Sequence, residues 1–265
     1  ADAWVGARLA EGSDWIKIVY EPKEPGGLGP PFPSIDRGTL AALVGAAHAR
    51  ERLAVAHVSR LGPARDALAA GVDGLVHVHA DRPADAALLA LVRERRPFVV
   101  PTLAVTLHFA GALDAAAFAR DPHIAPYLTP AQRDALAQPM PERARLRFMR
   151  PDVPLGAVRD LAAAGAEILA GSDAPNPGTV HGATLHQELE LLVRAGLSPV
   201  QALAAATSAP ARRFRLGDRG RIVPGSRADL VLVDGDPTTD VTATRAIVAI
   251  WKNGAPVERR RYAGA

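Results

Sequence analysis

Five short apolar runs, each followed by a loop and a helix-like stretch, limit what this chain can fold into. They are "DWIKIVY", "RLAVAHV", "DGLVHV", "PFVVPTLAV" and "EILAG", at 14–20, 52–58, 73–78, 97–105 and 167–171. Buried strands that alternate with helices need crossover connections, and crossovers make a parallel sheet with helices outside it. No glycine-rich dinucleotide fingerprint follows the first strand, which argues against a nucleotide-binding doubly wound fold. The residues with chemical potential, Lys17, His57, His77 and Asp173, all fall at strand C-termini. A (β/α)8 barrel keeps its active site at that end of its strands. The expectation is an α/β fold of (β/α)8 TIM-barrel type with five β/α units.

After residue 215 the texture changes. "DRGRIVPGSRADLVLVDGDP" and "IVAIWKNGAPV" alternate apolar and polar residues around Pro-Gly, Asp-Gly and Asn-Gly turns. Such segments read as antiparallel strands. The expected organisation is a partial barrel over 1–215 and a small β annex over 216–265. The Pro/Gly stretch at 21–34 is long enough for a binding loop, and 105–150 reads as an irregular, partly helical insert.

Composition removes several classes. The chain of 265 residues has no cysteine, so disulfides and thiolate metal sites are excluded. No apolar run is long enough to span a bilayer and no signal peptide is evident, so no membrane association and a cytoplasmic location are expected. Net charge is only +3. "RERR" and "ERRR" read as solvated ends rather than a nucleic-acid surface. Only three of the 31 basic residues are lysines: Lys17, Lys23 and Lys252. An Arg-rich protein that keeps one lysine inside "DWIKIVY" invites a chemical explanation, because a lone buried ammonium is costly; an outward-facing lysine on a strand is the plainer reading and is ranked second.

The "GLVHVHAD" segment places His77 and His79 one residue apart, where both could share a face of a strand. Each candidate also has a plainer reading. His57 could be a core histidine and Asp173 a turn residue. His181 stands at a helix start, where it would contact substrate or cap the helix. Tyr20 and Thr102 could line the same mouth as Lys17. Glu188 and Glu190 read as packing or solvated residues, His186 as structural, and His48, His108 and His123 as surface or loop residues.

In this order, "DWIKIVYE", "AVAHVS", "GVDGLVHVHAD", "FVVPTLAV", "GSDAPNPGTVHGATLHQELELLVRAGLSPVQALAAATSAPARRF" and "GRIVPGSRADLVLVDGDP" resemble the amidohydrolase superfamily. The branch is similar to imidazolonepropionases and Xaa-Pro dipeptidases. The resemblance implies metal ligands at strand ends. Lys17 matches the fourth-strand lysine, which is N6-carboxylated in the family, His57 the fifth-strand histidine and His77 the sixth-strand histidine. Asp173 matches the eighth-strand aspartate, which is both ligand and catalytic general acid/base. It also implies one or two divalent ions, zinc foremost, and hydrolysis of small amides, dipeptides or lactams.

The family's first three strands, with their His-x-His, have no counterpart among these motifs. The expectations are a homo-oligomer, a complementing N-terminal fragment, or a truncated scaffold without turnover. A Schiff-base lyase using Lys17 is a further alternative. On the family pattern His79 is a bystander at the mouth, unless the incomplete site recruits it.

Overall fold

The computed structural model describes residues 1–21, 34–140 and 146–262. Most of the expected binding loop at 21–34 lies outside those residues. The first elements are α1 (Asp2–Ala10), β1 (Ile16–Val19), α2 (Arg37–His48), β2 (Ala54–His57) and α3 (Leu61–Ala69). Then come β3 (Gly74–Val76), α4 (Ala86–Arg95), β4 (Phe98–Val100), α5 (Leu103–Phe109), α6 (Ala115–Ala119) and α7 (Pro130–Ala137). They are followed by α8 (Pro154–Ala163), β5 (Glu167–Ile168), α9 (Ala183–Arg194), α10 (Pro199–Ala206) and α11 (Ser208–Arg213). β6 (Leu230–Val233), β7 (Ile247–Lys252) and β8 (Ala255–Pro256) complete the order.

The backbone forms two compact units. One comprises Ala1–Pro101 and Ala144–Ile168, the other Thr102–Arg143 and Leu169–Ala265.

In the first unit β1 to β5 form one sheet in chain order, with every neighbouring pair parallel. Small and β-branched residues fill it: Ala54, Val55 and Ala56 of β2 are all buried. Asp36 caps α2 by accepting from the Thr39 N–H, and Asp85 caps α4 by accepting from Leu88, each satisfying a donor the helix leaves open. Phe98 lies directly beneath Gly74 on the neighbouring strand, where a Cβ would stand 2.3 Å from its ring. Glycine is therefore the only residue that β3 accepts there without displacing a buried aromatic.

In the second unit α9 packs on α5, α10 and a 3-10 turn at Val241–Arg245. Phe118, Ile124, Leu128, Leu136 and Val180 form a small core. The antiparallel annex is present, with strand order β6-β7-β8. Two expectations are corrected here. The run 97–105 is not one strand, because β4 stops at Val100 and α5 begins at Leu103. The "ERRR" end is not simply solvated: the Arg259 guanidinium lies 3.5 Å over the Tyr127 ring, and the Tyr262 N–H donates to the Pro126 carbonyl.

Gly74→Ala is expected to lower stability by ~1–3 kcal/mol, the cost of overpacking a filled core. Gly45→Ala, on the exposed side of α2 with nothing within 4 Å of the added Cβ, is expected to raise it by roughly 0.5–1 kcal/mol. Urea unfolding of both variants checks the pair.

Candidate metal centre

Strand alternation decides which side chains of β1 meet. Ile16, Ile18 and Tyr20 are buried on one face, whereas Lys17 and Val19 are exposed on the other, so the expected burial of the Lys17 ammonium is corrected to an outward-facing side chain. The parallel register sets Val19 opposite His57, and His57 opposite Val76. His57 closes β2, and His77 follows β3 directly. The two rings meet edge to face, with centroids 4.5 Å apart. His77 Nε2 and His57 Nδ1 share a hydrogen bond of 3.0 Å. Burial, and secondly the Lys17 charge, pull the His77 pKa down to about 4. His77 is therefore a neutral imidazole at pH 7, the form that donates a lone pair to a metal.

One residue of this group escapes the sequence reading. Glu21 lies four positions after Lys17 and so on the same face of the extended segment. Its Oε1 stands 3.7 Å from His57 Nε2. Burial raises its pKa, opposed by hydrogen bonds from the Ser59 side chain and backbone. Counting in twos from Lys17 finds it. Counting in threes finds Tyr20, which the structure places elsewhere. The Tyr20 hydroxyl donates to Asp66 Oδ2 at 3.1 Å, and Arg37 Nε donates to the same oxygen at 2.8 Å.

The donor set can be tested against a divalent ion. Two nitrogens bound to one tetrahedral zinc stand roughly 3.3 Å apart, given Zn–N of ~2.0–2.1 Å. The observed 3.0 Å between His57 Nδ1 and His77 Nε2 is close to that. Among the described residues no three His, Cys, Asp or Glu side chains gather into a metal-holding group. The two imidazoles fit as nitrogen ligands of one divalent ion.

His79 does not belong to this group. Its ring is 1% exposed, and neither nitrogen has a hydrogen-bond partner among the described residues. Burial lowers its pKa to about 4, partly offset by Asp81, Asp160 and Asp85. The expected place at the mouth is therefore corrected to a buried one.

Asp173, Thr102 and His181 belong to the second unit. Asn176 Nδ2 donates to Asp173 Oδ2 at 2.8 Å, which fixes the carboxylate within its loop. The Thr179 hydroxyl donates to the Asn176 carbonyl. His181 is exposed, and α9 is capped by Gly182 without a side-chain bond, so the capping alternative for His181 falls away. His108, expected at the surface, is buried with its ring against Gly178. His186 is structural as expected, with Nδ1 3.0 Å from Thr244 Oγ1.

Backbone strain marks the same positions. Seven non-glycine residues have positive φ among the described residues: Glu51, His77, Arg96, Thr102, Asp173, Arg215 and Asn253. Glu51, Arg96 and Arg215 follow helices and Asn253 turns a hairpin, ordinary places for that conformation. The remaining three, His77, Thr102 and Asp173, each come soon after a strand. Left-handed φ costs about 1–3 kcal/mol at such residues and gathers at functional sites.

At Thr102 the cause is visible. The Leu103 and Ala104 N–H groups, the first of α5, donate to Glu188 Oε1 and Oε2 at 2.9 and 2.8 Å. Glu188 is thus a helix cap supplied by α9 rather than a packing or solvated residue, which corrects that expectation. It is fully buried, and burial raises its pKa to about 7 against the pull of those two donors.

The amidohydrolase family profile matches residues 7–258. The adenine deaminase of Lysinibacillus sphaericus (strain C3-41) is 38% identical over 74 residues, 28% of this chain and 12% of that protein. The imidazolonepropionase of Streptomyces griseus subsp. griseus is 35% identical over 103 residues, 37% of this chain and 26% of that protein. Among solved structures, a Xaa-Pro dipeptidase with bound methionine in its active site has a TM-score of 0.70 at 24% identity, over 97% of this chain and 57% of that one. A putative prolidase from Bifidobacterium longum has a TM-score of 0.71 at 23% identity, over 98% of this chain and 59% of that one. The chain thus spans less than two thirds of the length of each of these relatives. At these identities the structural likeness speaks for the fold alone.

The Glu188 carboxyl predicts a pH effect with a definite sign. Its folded pKa of about 7 lies above the ordinary 4.5, so the folded state holds the extra proton between those values. Stability from this group falls as pH rises through that window, by roughly 3 kcal/mol. The buried histidines act in the opposite direction below pH 6.5, so the measurement is a difference. Urea unfolding of the wild type minus Glu188→Gln, at steps from pH 4.5 to 8, is expected to show that fall.

Proposed function

We propose that this chain, which belongs to the amidohydrolase family, hydrolyses amide or cyclic amide bonds of small amides, dipeptides or lactams with a divalent ion, zinc foremost. The carrying observation is the convergence of His57 Nδ1 and His77 Nε2 within reach of the Lys17 charge, which acts on His77. Lys17, His57 and His77 are the residues that would hold an ion, with Asp173 as the further family ligand. For Lys17 this requires that the ammonium first release a proton, that the freed Nζ lone pair attack CO2 to form the N–C bond, and that a second proton leave the nitrogen, giving an anionic carbamate oxygen donor. A bound ion would lower the pKa of water toward neutrality and polarise the scissile carbonyl. Asp173, held at Oδ2 by Asn176, takes the proton of the attacking water and passes it to the leaving amine. Tyr20, Thr102 and His181 are assigned to substrate contacts, although the Tyr20 hydroxyl is engaged by Asp66.

On this reading the five parallel strands are the later five of a (β/α)8 barrel over 1–215, and 216–265 is part of a β-sandwich. Among the described residues β1 pairs only with β2, and its Val19 is 52% exposed. That open edge favours a second reading, in which a complementing segment or a second copy is required for turnover. Metal-dependent turnover by this chain alone, in a panel of N-acyl amino acids, dipeptides and lactams, would rule the second reading out.

Purified with Zn2+ and bicarbonate, the chain is expected to bind about one ion. His57→Ala, His77→Ala and Lys17→Ala should each weaken binding by on the order of 100-fold. Asp173→Asn should cut turnover by about 10²–10⁴-fold. Elemental analysis that finds no stoichiometric metal, with an unmodified Lys17 by intact mass, would overturn the proposal.

A further inference from the structure

We propose that Glu21 is a positioning residue for His57: its carboxylate holds the imidazole proton on Nε2, leaving the Nδ1 lone pair aimed at His77. The inference rests on the metal-site reading above and deepens it. His57 is the pivot of the cluster, because both of its nitrogens face a polar group. Nδ1 faces His77 Nε2 at 3.0 Å, and Nε2 faces Glu21 Oε1 at 3.7 Å. A neutral imidazole carries one proton, so one nitrogen donates and the other accepts.

Three observations decide between the tautomers. Oε1 of Glu21 is buried and has no hydrogen-bond partner among the described residues, a state that costs free energy until a donor reaches it. The Ser59 side chain and backbone also hydrogen-bond to the carboxylate. Ser59 lies two residues beyond His57 on the same chain segment and is itself buried. Thus one short stretch carries both the ligand and the tether of the group that orients it. Closing the 3.7 Å gap to hydrogen-bond range takes a ring movement of about 0.5 Å. With the proton on Nδ1 instead, a lone pair on Nε2 would face an unsatisfied carboxylate oxygen, and Nδ1 could accept nothing. The Glu21-side tautomer satisfies Oε1 and presents a lone pair to the cluster. Carboxylate partners of this kind fix ring orientation at metal sites, and their loss costs about 10–100-fold in metal affinity.

The test has two arms on the full chain. In the first, ¹⁵N-histidine labelling of metal-free protein reads the His57 tautomer by long-range ¹H–¹⁵N correlation. The expected result is protonated Nε2 and bare Nδ1, shifting toward a mixture in Glu21→Ala. In the second, Zn2+ affinity is measured by competition with a chromophoric chelator. Glu21→Ala is expected to bind about 10–100-fold more weakly. Glu21→Gln, which keeps an acceptor for Nε2–H, should retain the tautomer and recover part of that loss. Protonated Nδ1 in the unaltered chain, or unchanged Zn2+ affinity in Glu21→Ala, overturns the inference while leaving the metal reading intact. An unaltered chain that binds no Zn2+ overturns the metal reading, and the tautomer arm then decides the role of Glu21 by itself. Should Glu21→Ala fail to fold, the tautomer in the unaltered chain and in Glu21→Gln still decides the role of Glu21.

Discussion

Parallel pairing in register is the constraint on which the first unit depends. The ladder couples Val19 to His57, His57 to Val76, and Val76 to Val100. Strands that run the same way and pair in step end at one edge of the sheet, so the residues at their ends are brought level. There the backbone must leave the sheet, and His77 does so in a left-handed conformation. Its N–H still donates to the Val100 carbonyl, so the ladder holds the turn while the ring swings to His57. The strain of that turn persists because the paired strands on either side over-determine it.

The second unit solves a different problem, how to start a helix where no local cap exists. Thr102 makes no side-chain capping bond to α5. Glu188 of α9 reaches the first two amides of α5 instead. Burying a carboxylate for this purpose carries a desolvation cost, which the two amide donors offset only in part, and the raised pKa is the visible remainder. The Asp173 loop is held in the same local manner. Asn176 holds Asp173, Thr179 holds Asn176, and the Gly178 that lies between Asn176 and Thr179 lets the loop close over the His108 ring.

Much of this is legible in the sequence because it depends on period and spacing. The strands at 54–57 and 74–76 follow from short apolar runs bounded by turns and helices, and the annex from alternation with Asn-Gly and Asp-Gly turns. Lys17 stands out because the chain otherwise uses arginine. Other features are not legible. A step of three along β1 selects Tyr20, whereas the strand's period of two selects Glu21. The end of β4 is hidden because "PTLAV" is apolar and β-branched enough for a strand, and the residue that caps the helix there comes 85 positions later. His79 and His108 carry no local mark of burial, because an imidazole in a sequence reads the same on a surface or in a core.

By itself, then, the sequence determined the alternation of strand and helix, the parallel sheet and the antiparallel annex, and it singled out Lys17, His57 and His77 as candidates. These follow from side-chain periodicity and residue type, which are local properties. The tertiary structure decided which of those residues meet: His57 with His77, Glu21 with His57, Glu188 with α5, and His79 with none of them. The reason is that such contacts depend on strand register, on which face each side chain takes, and on backbone turns stabilised by partners far along the chain.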